Sequence, residues 1–217
     1  MSGHYAVAGV AKTINDIRYA VAGVAKQVRY IVQNDTLLWS LKTMFWDAFN
    51  RPNLTGPGWI KISSQADANL VIPDGASARG GTNARMRYVW PTPPGGQPQW
   101  AEAVVAELPV SSEAGVVLRS GTTASSNATC MFATLTPTGW RAGYIGAGNV
   151  DPTTWASGTR TFTPGDRIRA EITTNSLLVY INDALVHTQT GTTYTGTYIG
   201  LRAVNGGRID RWCGGAL

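Results

Sequence analysis

From residue 47 to residue 217 the chain is broken by turn-forming residues roughly every 8–12 positions, with short β-like runs between them. The runs fall at 59–62, 70–72, 84–90, 100–108, 114–119, 129–135, 141–145, 167–173, 177–182, 198–203 and 208–212. Pro164, Gly165 and Asp166, and then Asn182 and Asp183, supply turn chemistry between successive runs. So many short strands in one stretch predict an all-β domain of two packed antiparallel sheets. Composition agrees: 25 Gly and 11 Pro favour turns, and only 14% charged residues leave too little material to coat helix surfaces. The 43% hydrophobic content and 8 Trp supply a core, which excludes wholesale disorder.

The first 46 residues have a different texture. Residues 5–12 read YAVAGVAK and residues 19–26 repeat the octapeptide without change, 14 positions later. As strands, Ala8-Gly9 and Ala22-Gly23 would be turns between short arms such as 5–7 and 10–12. As a helix, Val7, Val10, Ile14, Ile17, Val21, Val24, Val28 and Ile31 form a heptad seam whose β-branched residues favour more than two strands. Gly9, Gly23 and the scarcity of flanking Glu favour the hairpins, with the seam as the alternative. Either form leaves an apolar face that the repeat cannot enclose by itself. Residues 1–46 are therefore expected to be an attachment and oligomerisation segment, with Tyr5, Val7, Val10, Tyr19, Val21 and Val24 in the assembly contacts. Its end, TLLWSLKTMFW at 36–46, reads as a connecting strand or a stub under the domain at 47–217.

The net charge is +5, with five basic and two acidic groups before residue 47, and no basic run interleaved with aromatics occurs. Nucleic acid is not an expected partner. No stretch of about 18 apolar residues and no signal-peptide pattern is present, so synthesis in a cytoplasm without membrane insertion is expected. Cys130 and Cys213 lack a metal-binding spacing and are expected to be free, with a single bridge as the alternative. Asn149 and Asp151 precede a proline and read as an Asx-turn rather than as a calcium site. Neither a metal nor a cofactor is expected.

Catalytic signals are thin. In WAEAVVAEL at 100–108, Glu102 and Glu107 stand an odd number of residues apart, which on a regular strand sends them to opposite faces unless a bulge intervenes. Glu113 and Glu171 stand alone, and His4 and His187 lie near no nucleophile elbow. An enzyme is not expected. What remains is loop chemistry suited to sugar: Trp90 and Trp100 bracket a Pro/Gly loop, and Trp140, Tyr144 and Trp155 surround a second loop with Arg141, Asn149 and Asp151. Aromatic faces stack on sugar rings while such polar groups hydrogen-bond hydroxyls. The alternative role for these aromatics is core filling.

AGVVLRS at 114–120, TFTPGDRIRAEITTNSLLVYINDALV at 161–186, YIGLRA at 198–203 and GRIDRW at 207–212 together resemble the concanavalin A-like, laminin G-like jelly roll. DAFNRP at 47–52 and the YAVAGVAK repeats resemble tail proteins of phages that infect actinobacteria. The resemblance implies a two-sheet jelly-roll sandwich preceded by a short repeat-bearing extension, in a virion protein of the minor tail. It also implies a homo-oligomer, with three copies the expectation, other virion proteins as partners, and host surface polysaccharide as a ligand. A polysaccharide-active enzyme of the same fold and a head-decoration protein are the alternatives.

Overall fold

The structure, a computed structural model, describes residues 3–7, 10–14, 30–33, 36–40, 44–51, 58–63, 70–81, 85–94, 98–121, 128–147, 151–192 and 194–217, with side chains from residue 45 onward. These residues form strands and no helix. A first group comprises β1 (Gly3–Val7), β2 (Val10–Ile14), β3 (Tyr30–Gln33) and β4 (Thr36–Ser40). The rest begins with β5 (Met44–Asp47), β6 (Ile60–Lys61), β7 (Leu70–Val71), β8 (Ala78–Gly80), β9 (Arg85–Val89) and β10 (Gln99–Glu107). It continues through β11 (Glu113–Ser120), β12 (Cys130–Thr136), β13 (Gly139–Ile145), β14 (Thr153–Thr159) and β15 (Arg167–Ile172). It closes with β16 (Ser176–Ile181), β17 (Ala184–Thr190), β18 (Tyr198–Val204) and β19 (Arg208–Ala216).

β1 to β4 make a four-stranded antiparallel sheet in chain order. The first octapeptide copy is a hairpin in it, Val7 opposite Val10 and Tyr5 opposite Lys12. Tyr19, Val21 and Val24 of the second copy lie outside the described residues.

The other strands form two antiparallel sheets: eight strands ordered β17-β16-β15-β10-β19-β8-β7 with β5 also on β19, and seven ordered β14-β13-β12-β11-β18-β9-β6. This is the two-layer jelly-roll sandwich that the sequence predicts. The alternation in β15 and β16 shows why it forms: Ile168, Ala170 and Ile172, opposite Ile181, Val179 and Leu177, point inward while every second residue points out. Met86, Val116, Leu118, Met131, Leu135 and Leu201 meet them from the seven-stranded sheet. Between β16 and β17, Asn182 and Asp183 both take positive φ, 49° and 70°, the geometry of the two-residue hairpin turn that Asn-Gly usually fills.

Four strands of the sandwich fall outside the runs marked by sequence. β14 and β17 are edge strands with mostly exposed, Thr-rich faces, β8 has three residues, and β5 sits in the apolar stub before residue 47. Because β5 pairs with β19 from Met44, opposite Gly215, to Asp47, opposite Trp212, the sandwich takes in residues from both sides of that junction.

β5 leads into an aromatic cluster. Trp90 stacks on Trp212 at 5.5 Å, Trp59 meets them edge-on at 5.2 and 4.8 Å, and Phe45 stacks on Trp90 at 5.5 Å. Beneath it Asp47, 4% exposed, accepts hydrogen bonds from the Phe49 amide (2.8 Å), Trp59 Nε1 (2.7 Å) and both Arg51 terminal nitrogens (2.6 Å each). The DAFNR stretch is thus a clamp: one buried carboxylate, a charged partner four residues on, and Phe49 at φ 54° between them.

Candidate functional site

The outer face of the eight-stranded sheet carries alternating aromatic and charged groups. Trp46, Cys213, Glu102, Arg169 and Tyr180 lie in one cross-strand row over β5, β19, β10, β15 and β16. Trp100 pairs with Glu171 in the next row, and Val104 with Arg167 and Arg211 on the other side. The Arg169 guanidinium sits 4.9 Å from the Trp100 ring centre and 5.9 Å from that of Tyr180, and it also pairs with Glu171. Glu102 meets Arg167 at 3.9 Å. A cleft of about 230 Å³ opens here between Trp46, Glu102, Arg167, Arg211 and Cys213. Burial, with the Glu102 charge adding, pushes the Cys213 thiol up to about 12, so it stays protonated and unreactive in the wall. An indole wall, ion-paired carboxylates and several guanidinium donors are the groups that stack on and hydrogen-bond a sugar ring.

The bulge that would put Glu102 and Glu107 on one face is present. Between β10 and β19 the register slips twice: Asp210 is left over between the partners of Val104 and Val105, then Ala106 is left over before Glu107 meets Arg208. Both carboxylates therefore face outward, Glu107 at 3.1 Å from Arg208. At ~3.3 Å per residue they remain roughly 13–16 Å apart along the strand, beyond the ~5–9.5 Å that glycoside hydrolysis uses. No described strand carries two carboxylates at two-residue spacing on one face.

The loop residues predicted to bind glycan do not gather into one site, though Tyr144 and Trp155 meet. Trp90 is 2% exposed in the aromatic cluster and offers no face to a ligand. On β13, period two sends Trp140 and Tyr144 toward the core and Arg141 to the opposite face. Trp140 packs against the core and near His187 (6.0 Å), and Trp155 packs with Tyr144 (5.3 Å) and Tyr194 (6.3 Å). Asp151 is exposed and pairs with Arg85, and Asn149 lies outside the described residues. Of the seven that are described, Trp100 alone lies on the outer face of the eight-stranded sheet. Trp46, Glu102, Arg167, Arg169 and Tyr180 join it there; their signal in sequence is strand alternation in β10 and β15, which needs pairing to become a surface. Among the described residues no group of three His, Cys, Asp or Glu side chains is placed to hold a metal ion, and neither cysteine forms a disulfide.

The outer face of the seven-stranded sheet is filled instead. Ile62, Val89, Val117, Cys130, Phe132 and Ile145 form a second buried cluster there. Across it runs a row of Arg87, Arg202, Gly115, Thr134 and Arg141, each directly opposite the next on β9, β18, β11, β12 and β13. The carboxylate of Glu113, two residues before Gly115 on the same strand and 5% exposed, bridges Arg202 (3.1 Å), Arg141 Nε (2.8 Å) and Nη2, and the Thr134 hydroxyl (2.9 Å). Burial works to raise the Glu113 pKa, but Arg202, Arg141 and Thr134 outweigh it and hold the pKa at about 2.

No family model matches the sequence, and no curated protein matches it. Solved structures do match in shape. The carbohydrate-binding module CBM66 of Bacillus subtilis aligns with TM-score 0.54 at 11% identity, over 70% of this chain and 91% of that one. A Bacillus subtilis protein of unknown function with a galectin-like fold aligns at 0.55 and 8% identity, over 79% and 94%. The Crh5 transglycosylase aligns at 0.53 and 13% identity, over 80% and 84%. The chain thus has the lectin-like jelly-roll fold found in sugar-binding and sugar-processing proteins.

Proposed function

We propose that this chain is a non-hydrolytic, glycan-binding structural protein of a bacteriophage tail. Residues 1–43 attach and oligomerise it, in three copies, and the jelly roll contacts host surface polysaccharide. The observation that carries the binding role is the outer face of the eight-stranded sheet, where Trp46, Glu102, Arg167 and Arg211 line an open cleft and Trp100, Arg169 and Glu171 extend the same face beside it. The likeness to a carbohydrate-binding module supports it, and the coreless repeat, with its hairpin in a separate sheet, supports the attachment role.

A glycan array probed with the full chain tests the binding half. Retention of polysaccharide that is weakened in Trp46→Ala and Trp100→Ala is expected; no retention on any bacterial surface glycan would overturn it. Mass spectrometry of purified virions and light scattering test the location and the three copies.

Hydrolysis by the same fold has one observation in its favour. Glu102 and Glu171 are diagonal neighbours on β10 and β15, with backbones ~7–8 Å apart. Each is already ion-paired, with Arg167 and Arg169, and so is poorly placed to attack or to donate a proton. Reducing-sugar release from host cell wall, abolished in Glu102→Gln or Glu171→Gln, would replace the binding reading with the enzymatic one.

A further inference from the structure

The arginine row holds more positive charge than its described neighbours neutralise. Arg87 and Arg202 are 2% and 0% exposed and Arg141 joins them, yet Glu113 is the only carboxylate bonded to any of the three among the described residues. Arg202 keeps Nε and Nη1 without a hydrogen-bond partner, and among the described residues Arg87 donates to the Ala128 carbonyl (3.2 Å) and the Cys130 sulfur (3.8 Å). Burial holds that thiol protonated, so it supplies no negative charge. Charge stacked in this way under a low-dielectric face projects a positive potential wherever the face opens.

It opens at Glu113 and Arg141. A cleft of about 520 Å³ is lined there by Ser111, Ser112, Glu113, Thr136, Thr138 and Arg141. Arg141 spends Nε and Nη2 on Glu113 and has Nη1 left for the cleft. Val110 stands 89% exposed on the rim. Ser111 beside it is held at φ 63°, its carbonyl accepting from Asn205 Nδ2 at 2.9 Å. A strained, anchored backbone at the mouth of a hydroxyl-lined cleft is the kind of local cost that a binding site retains.

We infer that this cleft is a site for an oxyanion carried on a hydroxylated ligand, the carboxylate of an acidic sugar or the phosphate of a polyol phosphate polymer. The anion takes the free Arg141 Nη1 and the hydroxyls of Ser111, Thr136 and Thr138, and the buried Arg202 strengthens it from behind. This site lies on the other sheet from the Trp46 and Trp100 face, so either can fail alone.

The test is amide chemical-shift titration of the full chain with glucuronate, glycerol 3-phosphate and, as the uncharged control, glucose. Shifts at Ser111, Thr136 and Thr138 with one or both anions, and none with glucose, are expected, and the anion that binds identifies the source. Arg141→Gln should weaken binding at least tenfold and Thr138→Val about threefold. Equal response to glucose, no response to either anion, or anion binding unaltered in folded Arg141→Gln overturns the site. If Arg141→Gln does not fold, Thr138→Val and the shift map decide: unchanged affinity there, or shifts elsewhere, overturns it equally.

Discussion

Arg87 and Arg202 face one another directly across β9 and β18, both sealed from solvent, and only Arg202 is bonded to a carboxylate among the described residues. Like charges directly opposite on neighbouring strands repel, and burial strips each guanidinium of its hydration. Replacing Arg87 with Met, which fills similar space without charge, is therefore expected to stabilise the protein by about 1 kcal/mol in urea unfolding. A loss of stability would show that Arg87 is worth more to the fold than its desolvation costs.

Glu113→Gln acts in the opposite sense. It leaves Arg202 and Arg141 facing each other with no carboxylate between them, and removing one member of such a buried pair costs about 3–5 kcal/mol. Urea unfolding should show that loss, and the Arg87→Met, Glu113→Gln double variant should recover part of it.

The same carboxylate sets an acid limit. Its folded pKa of about 2 lies below the ordinary 4.5, so the ionised form is bound more tightly in the folded state. The stabilisation, about 3 kcal/mol, is fully present above pH ~5 and is lost as pH falls from there toward 2. Stability measured across that window should drop in the wild type, and this component of the drop should be missing in Glu113→Gln.

Asp47 carries four hydrogen bonds at the entrance of the sandwich. Asp47→Ala leaves Trp59 Nε1 and the Phe49 amide without a partner and frees Arg51, at a cost of about 2–4 kcal/mol. Intrinsic fluorescence should report a disturbed Trp59 before global unfolding.

Truncation locates the domain start. Removing residues 1–43 is expected to leave a folded jelly roll that no longer oligomerises, because β5 begins at Met44. Removing residues 1–47 takes away Phe45 and Asp47 and should yield a protein that unfolds at markedly lower denaturant. Circular dichroism melts of the two would compare them.

On the Trp100 face, ring stacking contributes about 0.5–1.5 kcal/mol beyond area burial. Trp100→Ala should therefore weaken glycan binding roughly 2- to 12-fold in affinity electrophoresis, with Glu107→Gln near wild type. Unchanged binding in Trp100→Ala would move the ligand off this face.

The inward halves of the strands were readable because burial writes itself into period two, as in Ile168, Ala170 and Ile172. β14 escapes for the converse reason: at an exposed edge nothing forces TTWASGT to alternate. The site was harder to read because it depends on pairing. Trp140 and Arg141 look like members of one binding loop in sequence, yet adjacent residues of a strand serve opposite faces. Glu102 and Glu107 share a face only because β10 and β19 slip twice, and Arg87 and Arg202, far apart in the chain, become neighbours only through β9 and β18.

The pairing of β5 with β19 also decides how the domain bears load. A pull transmitted through the N-terminal extension arrives at Met44, where the strand runs antiparallel to β19 and is hydrogen-bonded along its length, from Gly215 to Trp212. Tension along that axis shears the whole set of bonds at once instead of peeling them in turn. The Asp47 clamp lies just behind it, so the first point to yield under traction is backed by a carboxylate, two guanidinium bonds and an indole. The junction thus resists detachment of the first strand under a pull from the N-terminal side.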